Sequence, residues 1–497
     1  MRRLLWLLTA VVLISLPAAA DEVSELRERL ATQQKQIEQL QQTLGEQQKL
    51  LEELAHRLAA PAAAAGPATP AKAEVADDGK PVAPLSFRIG GADFTPGGFM
   101  DFTSIFRSTN IGSGIGTSFG ALPFENAPAG RLTETRFSAQ NSRLALKVTS
   151  KVGRQAVTGY VEADFLGALP ANGNVTSNGN SFRMRLYWVD VMRGKWEILG
   201  GQSWSMLTPN RSGISPLPAD LFFSQNVDTN YQVGLTWTRA PQFRVVYHAS
   251  KNWTAGLALE NPQQYVGTAA PPAPYASQFD NGSSTATPNT HPDVIGKVAY
   301  DGKAGGRAMH VEAAGLFRTF RSSLQSGGTS VAHGFGGSVN MSLELAKNFR
   351  FIVTSYHSQG GGRYIFGLGP DVVIGSDGSI SPVHSTAGIA GLEFQPNPKS
   401  QIYAYYGGAY FRRNYSATAP GQFVGFGYPG SSGAMNRQIQ EATFGYTQTF
   451  WKNPNYGALQ LLLQYSYVTR SPWAFPAGTP GSAHTHLVYT DLRYVLP

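Results

Sequence analysis

Cysteine is missing from all 497 residues, which excludes disulfides, zinc–thiolate centres and thiol nucleophiles. Long hydrophobic runs are also scarce. After residue 20 none reaches the roughly 18 residues that a spanning helix needs. Mean hydropathy is slightly negative, which argues against a polytopic helical membrane protein. Charged residues make up only 14% of the chain, so charges that recur inside a patterned segment carry information. Glycine (55) and aromatic residues (27 Phe, 21 Tyr and 8 Trp) are the abundant types, suited to turns and to strands.

Residues 1–20 read as a signal peptide. Arg2 and Arg3 supply the positive start, Leu4 to Ile14 the apolar segment, and Ala18-x-Ala20 the small-residue cleavage site. The apolar run is too short for a membrane anchor, so the mature chain is expected to begin at Asp21 and to be exported. Residues 21–84 hold 7 basic and 11 acidic side chains, whereas 85–497 hold 31 basic and 21 acidic, a surplus of ten. Such a surplus suits anionic lipid, small anions or nucleic acid, and export argues against nucleic acid.

Between Val23 and Leu58 the sequence repeats every seven residues. One seam is Val23, Leu30, Ile37, Leu44, Leu51 and Leu58; the other is Leu26, Gln33, Leu40, Gln47 and Leu54. Such a stripe winds round each helix and drives supercoiling, so 21–59 is expected to be an oligomeric α-helical coiled coil; a helix folded back on its own barrel is the alternative. Residues 60–84 are a Pro/Ala-rich linker that cannot bury enough surface to fold.

From about Leu85 the pattern changes to paired strands. The pairs are 136–149 with 154–166, 181–192 with 195–203, 231–239 with 242–260, 292–301 with 306–319, 333–345 with 348–357, 384–395 with 399–411, and 438–451 with 456–469. Short turns close each pair, eight long loops separate them, and the single strands 97–107 and 484–496 flank the series, which gives 16 strands. Segment 242–260 is read as one long or bulged strand, although a cut at Lys251 would make two. An even strand number with short turns on one side and long loops on the other is the pattern of an outer-membrane barrel.

The alternation along the strands agrees. Leu459, Leu461, Leu463, Tyr465 and Tyr467 oppose Gln460, Gln464 and Ser466, and Phe335, Val339, Met341 and Leu343 oppose Ser338, Asn340 and Ser342. Sixteen such strands would need several soluble sandwiches, yet no linker follows residue 85. A closed barrel with lipid outside and water inside satisfies every backbone group. The expected fold is therefore an all-β transmembrane barrel of 16 antiparallel strands with an N-terminal α-helical coiled coil, the barrel spanning 85–497.

The order of signal peptide, heptad segment, linker and strand series, together with GYVEADF (159–165), RMRLYWVD (183–190) and GGQSWS (200–205), resembles the DcaP-like porins. That resemblance implies a homotrimeric outer-membrane channel, its coiled coil in the periplasm, through which dicarboxylates and other small anions diffuse. The chain departs from the usual pattern at Arg493–Pro497, since such barrels commonly end in an aromatic residue.

In 181–190 the apolar set Phe182, Met184, Leu186 and Trp188 is expected to face lipid, leaving Arg183, Arg185 and Tyr187 in the lumen. Glu162 and Asp164 join them from the neighbouring strand. Arg136 is assigned there too, and Arg143 if a bulge near Gln140–Ser142 re-aims it. A planar guanidinium grips a carboxylate or phosphate through two hydrogen bonds, and rings of arginine favour anions. The 204–230 segment, stiffened by Pro209, Pro216 and Pro218, is the expected constriction loop, with Arg211 and Asp220 near its eyelet.

Other readings are weaker. No motif joins Ser342 to His310 as a lipid-modifying enzyme requires, and His484 with His486 offers only two metal ligands at a loop end. No catalytic residue, metal or cofactor is expected. A phosphate-selective porin, or an envelope tether contacting peptidoglycan through the coiled coil, remains an alternative to the small-anion channel.

Overall fold

The structure is a computed structural model that describes residues 34–35, 85–168, 179–267, 272, 274–279, 288–475 and 477–497. The signal peptide, the linker 60–84 and all of the heptad segment except helical residues 34–35 lie outside the described residues.

Among the described residues, one sheet closes on itself as a barrel of 16 antiparallel strands. These are β1 (Ala92–Arg107), β2 (Glu134–Ser138 and, after a break, Arg143–Val152), β3 (Gln155–Asp164), β4 (Arg183–Arg193), β5 (Trp196–Trp204), β6 (Arg239–His248), β7 (Trp253–Glu260) and β8 (Asp293–Ala304). The second half comprises β9 (Arg307–Ser323), β10 (Thr329–Ala346), β11 (Phe349–Gln359), β12 (His384–Asn397), β13 (Ser400–Phe411), β14 (Asn436–Asn453), β15 (Gly457–Pro472) and β16 (Ala483–Val495). Each strand pairs with its sequence neighbour, and β16 returns to β1 through register partners running from Phe99↔Val495 to Arg107↔Leu487. Closure leaves no open edge, which a sheet surrounded by lipid requires.

Burial is inverted relative to a soluble protein. Phe102, Val189, Leu257, Val339, Phe444 and Leu492 are exposed on the outside, while Arg185, Glu312, Arg318 and Asp491 are buried inside. An apolar band of this extent belongs against hydrocarbon.

One strand pair differs from the sequence expectation. Segment 231–238 is not a barrel strand; β6 begins at Arg239, and 242–260 divides into β6 and β7 around a turn at Ala249–Asn252. The total of 16 is unchanged because one expected strand is lost and another gained. Gly234, at φ +94° and pressed against the backbone of Gly388 and Gly408, explains the loss: a Cβ there would lie 2.3 Å from a carbonyl oxygen. The chain at this point crosses the lumen instead of lining it.

The seven short turns share a feature. Each carries Lys or Arg at an exposed position: 151 and 154, 193 and 195, 251, 303 and 307, 347, 399 and 452. None of these turns has an exposed Asp or Glu.

Candidate functional site

The segment after β5, residues 205–238, folds into the barrel. Its contacts reach strands far round the wall: Asn210 N–H donates to Glu312 on β9 (3.1 Å), Gln225 N–H to Tyr405 on β13 (3.2 Å), and Val233 N–H to Glu441 on β14 (2.8 Å). Val227 N–H donates to Gln464 on β15 (2.5 Å), and Tyr489 on β16 donates to Asp228 (2.8 Å). Main-chain donors are thus satisfied by wall side chains, which lets an irregular segment sit inside a barrel without orphaned backbone. Burial pushes the Asp228 carboxyl above its ordinary range, against hydrogen bonds from Thr117, Asn230 and Tyr489 and the charge of Arg107.

This inward loop and the wall enclose a cavity of about 430 Å³ lined by Arg143, Arg211 and Arg493 among others. Each arginine has a carboxylate partner: Arg211 binds Glu393 at 2.8 and 2.9 Å, Arg493 binds Asp101 at 2.7 Å, and Arg143 lies 3.7 Å from Glu162. The pairs are asymmetric. The arginine side chains are 17–19% exposed, whereas their partners Glu393, Asp101 and Glu162 are 8%, 0% and 3% exposed. Positive ends therefore face the cavity and negative ends sit behind them. Burial opposes the charge on Arg211, yet its hydrogen bond and attraction to Glu393 hold its proton more tightly than usual.

A second cavity of about 270 Å³ is lined by Arg183, Arg185, Arg239, Trp204, Tyr231 and Trp237 among others. Arg185 binds both Glu162 and Asp164 at 2.7 Å, and Arg183 shares Asp164 at 2.8 Å. Trp204 is flanked by two guanidinium groups, Arg185 at 5.6 Å and Arg239 at 5.3 Å from its ring centre, a cation–π arrangement. Arg239 makes no ion pair among the described residues, and its Nη1, Arg185 Nη2 and the Nε1 atoms of Trp204 and Trp237 have no hydrogen-bond partner there. Trp204 and Tyr231 line both cavities and so form the partition between them. Tyr231 and Phe366 have positive φ (61° and 52°), and both pack on Trp237, at 5.3 and 4.7 Å between ring centres. Left-handed backbone at bulky aromatic residues is strained and persists only where packing imposes it.

The structure brings Arg143, Glu162, Asp164, Arg183, Arg185 and Arg211 to the cavities, but corrects three expectations. Tyr187 faces outward and is 42% exposed, whereas Leu186 and Trp188, expected in lipid, are 0% and 4% exposed and point inward. A β-bulge is the cause: Glu162 pairs with Leu186 and Ala163 with Met184, so Arg185 is an extra residue that reverses the alternation. Arg136 shares the inner face but stands at the long-loop rim, beside Glu134 at 3.6 Å, and lines neither cavity. The Asp220 carboxylate accepts from Ser215 at 2.7 Å and braces the loop's own turn rather than lining either cavity.

Sequence reasoning missed Arg239 and Arg493. Arg493 was legible, since Tyr489, Asp491 and Arg493 alternate with Val488, Thr490 and Leu492. Arg239 was hidden at the end of a segment mistaken for a strand. Among the described residues no group of three or more potential ligands could hold a metal ion.

A closed 16-strand antiparallel barrel with an apolar outside, a charged inside and a loop folded across the lumen has the architecture of an outer-membrane porin. Among solved structures, the DcaP outer-membrane channel of Acinetobacter baumannii matches with a TM-score of 0.61 at 18% identity, covering 82% of this chain and 98% of that one. The barrel thus has a DcaP-like porin fold. The anion-selective porin from Comamonas acidovorans matches at TM-score 0.46 and 11% identity, and Salmonella typhi OmpF at 0.45 and 11%; each match covers 82% of this chain and all of the other. No family profile matches the chain, and no curated protein matches it in sequence.

Proposed function

We propose that the protein is an outer-membrane channel for passive diffusion of small anionic solutes, dicarboxylates in particular. The observation that carries this reading is the orientation of the ion pairs: Arg143, Arg211 and Arg493 present their guanidinium groups to the lumen while Glu162, Glu393 and Asp101 are buried behind them. A passing solute meets cationic donors, and a fixed field of one sign concentrates anions without a conformational cycle. Around the second cavity Arg183, Arg185 and Arg239 stand against the carboxylates Glu162 and Asp164, a local surplus of one positive charge. Arginines presented in two adjacent cavities suit a solute with two separated carboxylates better than a solute with one.

The heptad at 21–59 supports an oligomer, which this reading takes as a homotrimer because the resemblance to the DcaP-like porins implies one, with the coiled coil assigned to the periplasm and a contact to peptidoglycan proposed for it. Planar-bilayer reversal potentials under a salt gradient test the channel. Anion preference that succinate suppresses at lower concentration than acetate supports the proposal; cation preference, or no conductance, overturns it.

A further inference from the structure

The basic surplus of the barrel is not consumed by the pore. Ten exposed lysines and arginines stand on the short turns, and among the described residues none of them makes an ion pair. They recur on all seven turns, and so ring the whole circumference. Immediately next to them lies a band of aromatic pairs: Trp196 with Tyr247 (4.7 Å between ring centres), Trp253 with Tyr300 (4.8 Å), and Trp451 with Tyr494 (6.1 Å). Trp196, Trp253 and Trp451 are 54%, 51% and 41% exposed on the outer surface. Amphipathic rings of this kind settle at the boundary between acyl chains and headgroups. The turn cations lie just beyond that boundary, at the depth of lipid phosphates.

We propose that this rim is a binding surface for anionic phospholipid headgroups in the leaflet that the short turns contact. Charge complementarity and position select that partner. A solute-attracting field needs cations in the lumen, whereas Lys151, Arg154, Arg193, Lys195, Arg307 and Lys399 line neither the cavities nor the mouth. Lipid borders a barrel over a wide arc even within a trimer, which matches charges spread round the rim better than a single patch. Surface cations attract anionic headgroups over about one Debye length, so the interaction is local and salt-sensitive.

The test uses the full-length protein in nanodiscs of equal phosphatidylglycerol and phosphatidylcholine, with retained lipid counted by native mass spectrometry after gentle release. The native protein is expected to retain phosphatidylglycerol over phosphatidylcholine by roughly fivefold at low salt, a preference lost near 0.5 M salt, as for other surface charges. Glutamine at the six positions named above should bring the ratio to near one, with heat-modifiable migration and conductance unchanged. If that variant does not fold, the Lys151→Gln/Arg154→Gln and Arg193→Gln/Lys195→Gln pairs should each lower the ratio. The salt titration needs no variant. Equal retention of both lipids by the native protein, or a preference that survives the substitutions, overturns the proposal. So does sacculus binding that depends on the same six residues without any lipid preference, which would assign the rim to the wall polymer.

Discussion

Arg211 and Glu393 join the inward loop to the barrel wall through two parallel hydrogen bonds of 2.8 and 2.9 Å, with the guanidinium toward the lumen and the carboxylate behind it. Tyr405 adds a 2.6 Å hydrogen bond to the same carboxylate. One contact thus both anchors the loop and fixes the sign of the field. Arg211→Ala should leave Glu393 as an uncompensated negative charge beside the passage. Anion-over-cation permeability, read from reversal potentials, should fall roughly fivefold, the effect of about 1 kcal/mol of Coulomb attraction in a water-filled setting. Arg211→Lys retains the charge but not the two-point fork, so selectivity should persist with a noisier open state as the loop loosens.

Arg185 and Arg239 flank the same indole, yet they should respond differently to substitution. Arg185 is 4% exposed and bound to two carboxylates, so Arg185→Ala strands buried charge and should destabilise the barrel by about 3–5 kcal/mol. Arg239 has no carboxylate to strand, and Arg239→Gln should leave thermal stability nearly unchanged while weakening block by a dicarboxylate. Paired measurements of unfolding midpoint and blocker affinity check this; equal effects of the two substitutions on both readouts would refute it.

Much of the barrel was legible because its grammar is periodic. The alternation of Leu459, Leu461 and Leu463 with Gln460 and Gln464 needs only the pleat, and turns such as Gly194-Lys195 and Gly305-Gly306 mark reversals locally. The site was less legible because it depends on departures from that grammar. A single extra residue at Arg185 reverses every side chain after it, and nothing in the alternating run Arg183–Val189 announces the bulge. The run 231–239 is apolar and strand-like, but Gly234 packs where only a glycine fits, a fact created by β12 and β13 more than 150 residues later. Asp220 belongs to the loop in sequence yet is taken by Ser215, a partner that spacing alone does not select.

The bulge itself can be tested cleanly because the chain contains no cysteine. In Tyr187→Cys the thiol should react with a lipid-soluble maleimide and resist a charged, water-soluble one, since Tyr187 is on the outer face. Val189→Cys should behave the same way. Asp190→Cys, two residues beyond Trp188 on the inner face opened by the bulge, should react with the water-soluble reagent and reduce conductance once labelled. Water-soluble labelling of position 187 with conductance block would restore the unbulged alternation and overturn the assignment.

Asp228 gives the inward loop a dependence on pH. Its folded carboxyl titrates above the ordinary value near 3.9, chiefly because it is buried. Folding therefore favours the protonated form. The stabilisation is fully present below the unfolded pKa and is lost as pH rises through the folded one. The loop should accordingly be held more tightly in acid, with greater hydrogen-exchange protection of the amides around 227–235 after correction for intrinsic rates. Asp228→Asn keeps an acceptor for the Thr117 and Asn230 amides while removing the charge, so protection in this variant should no longer vary with pH, despite the altered contact with Tyr489. A pH profile that is the same in the native protein and the variant would show that another group controls the loop.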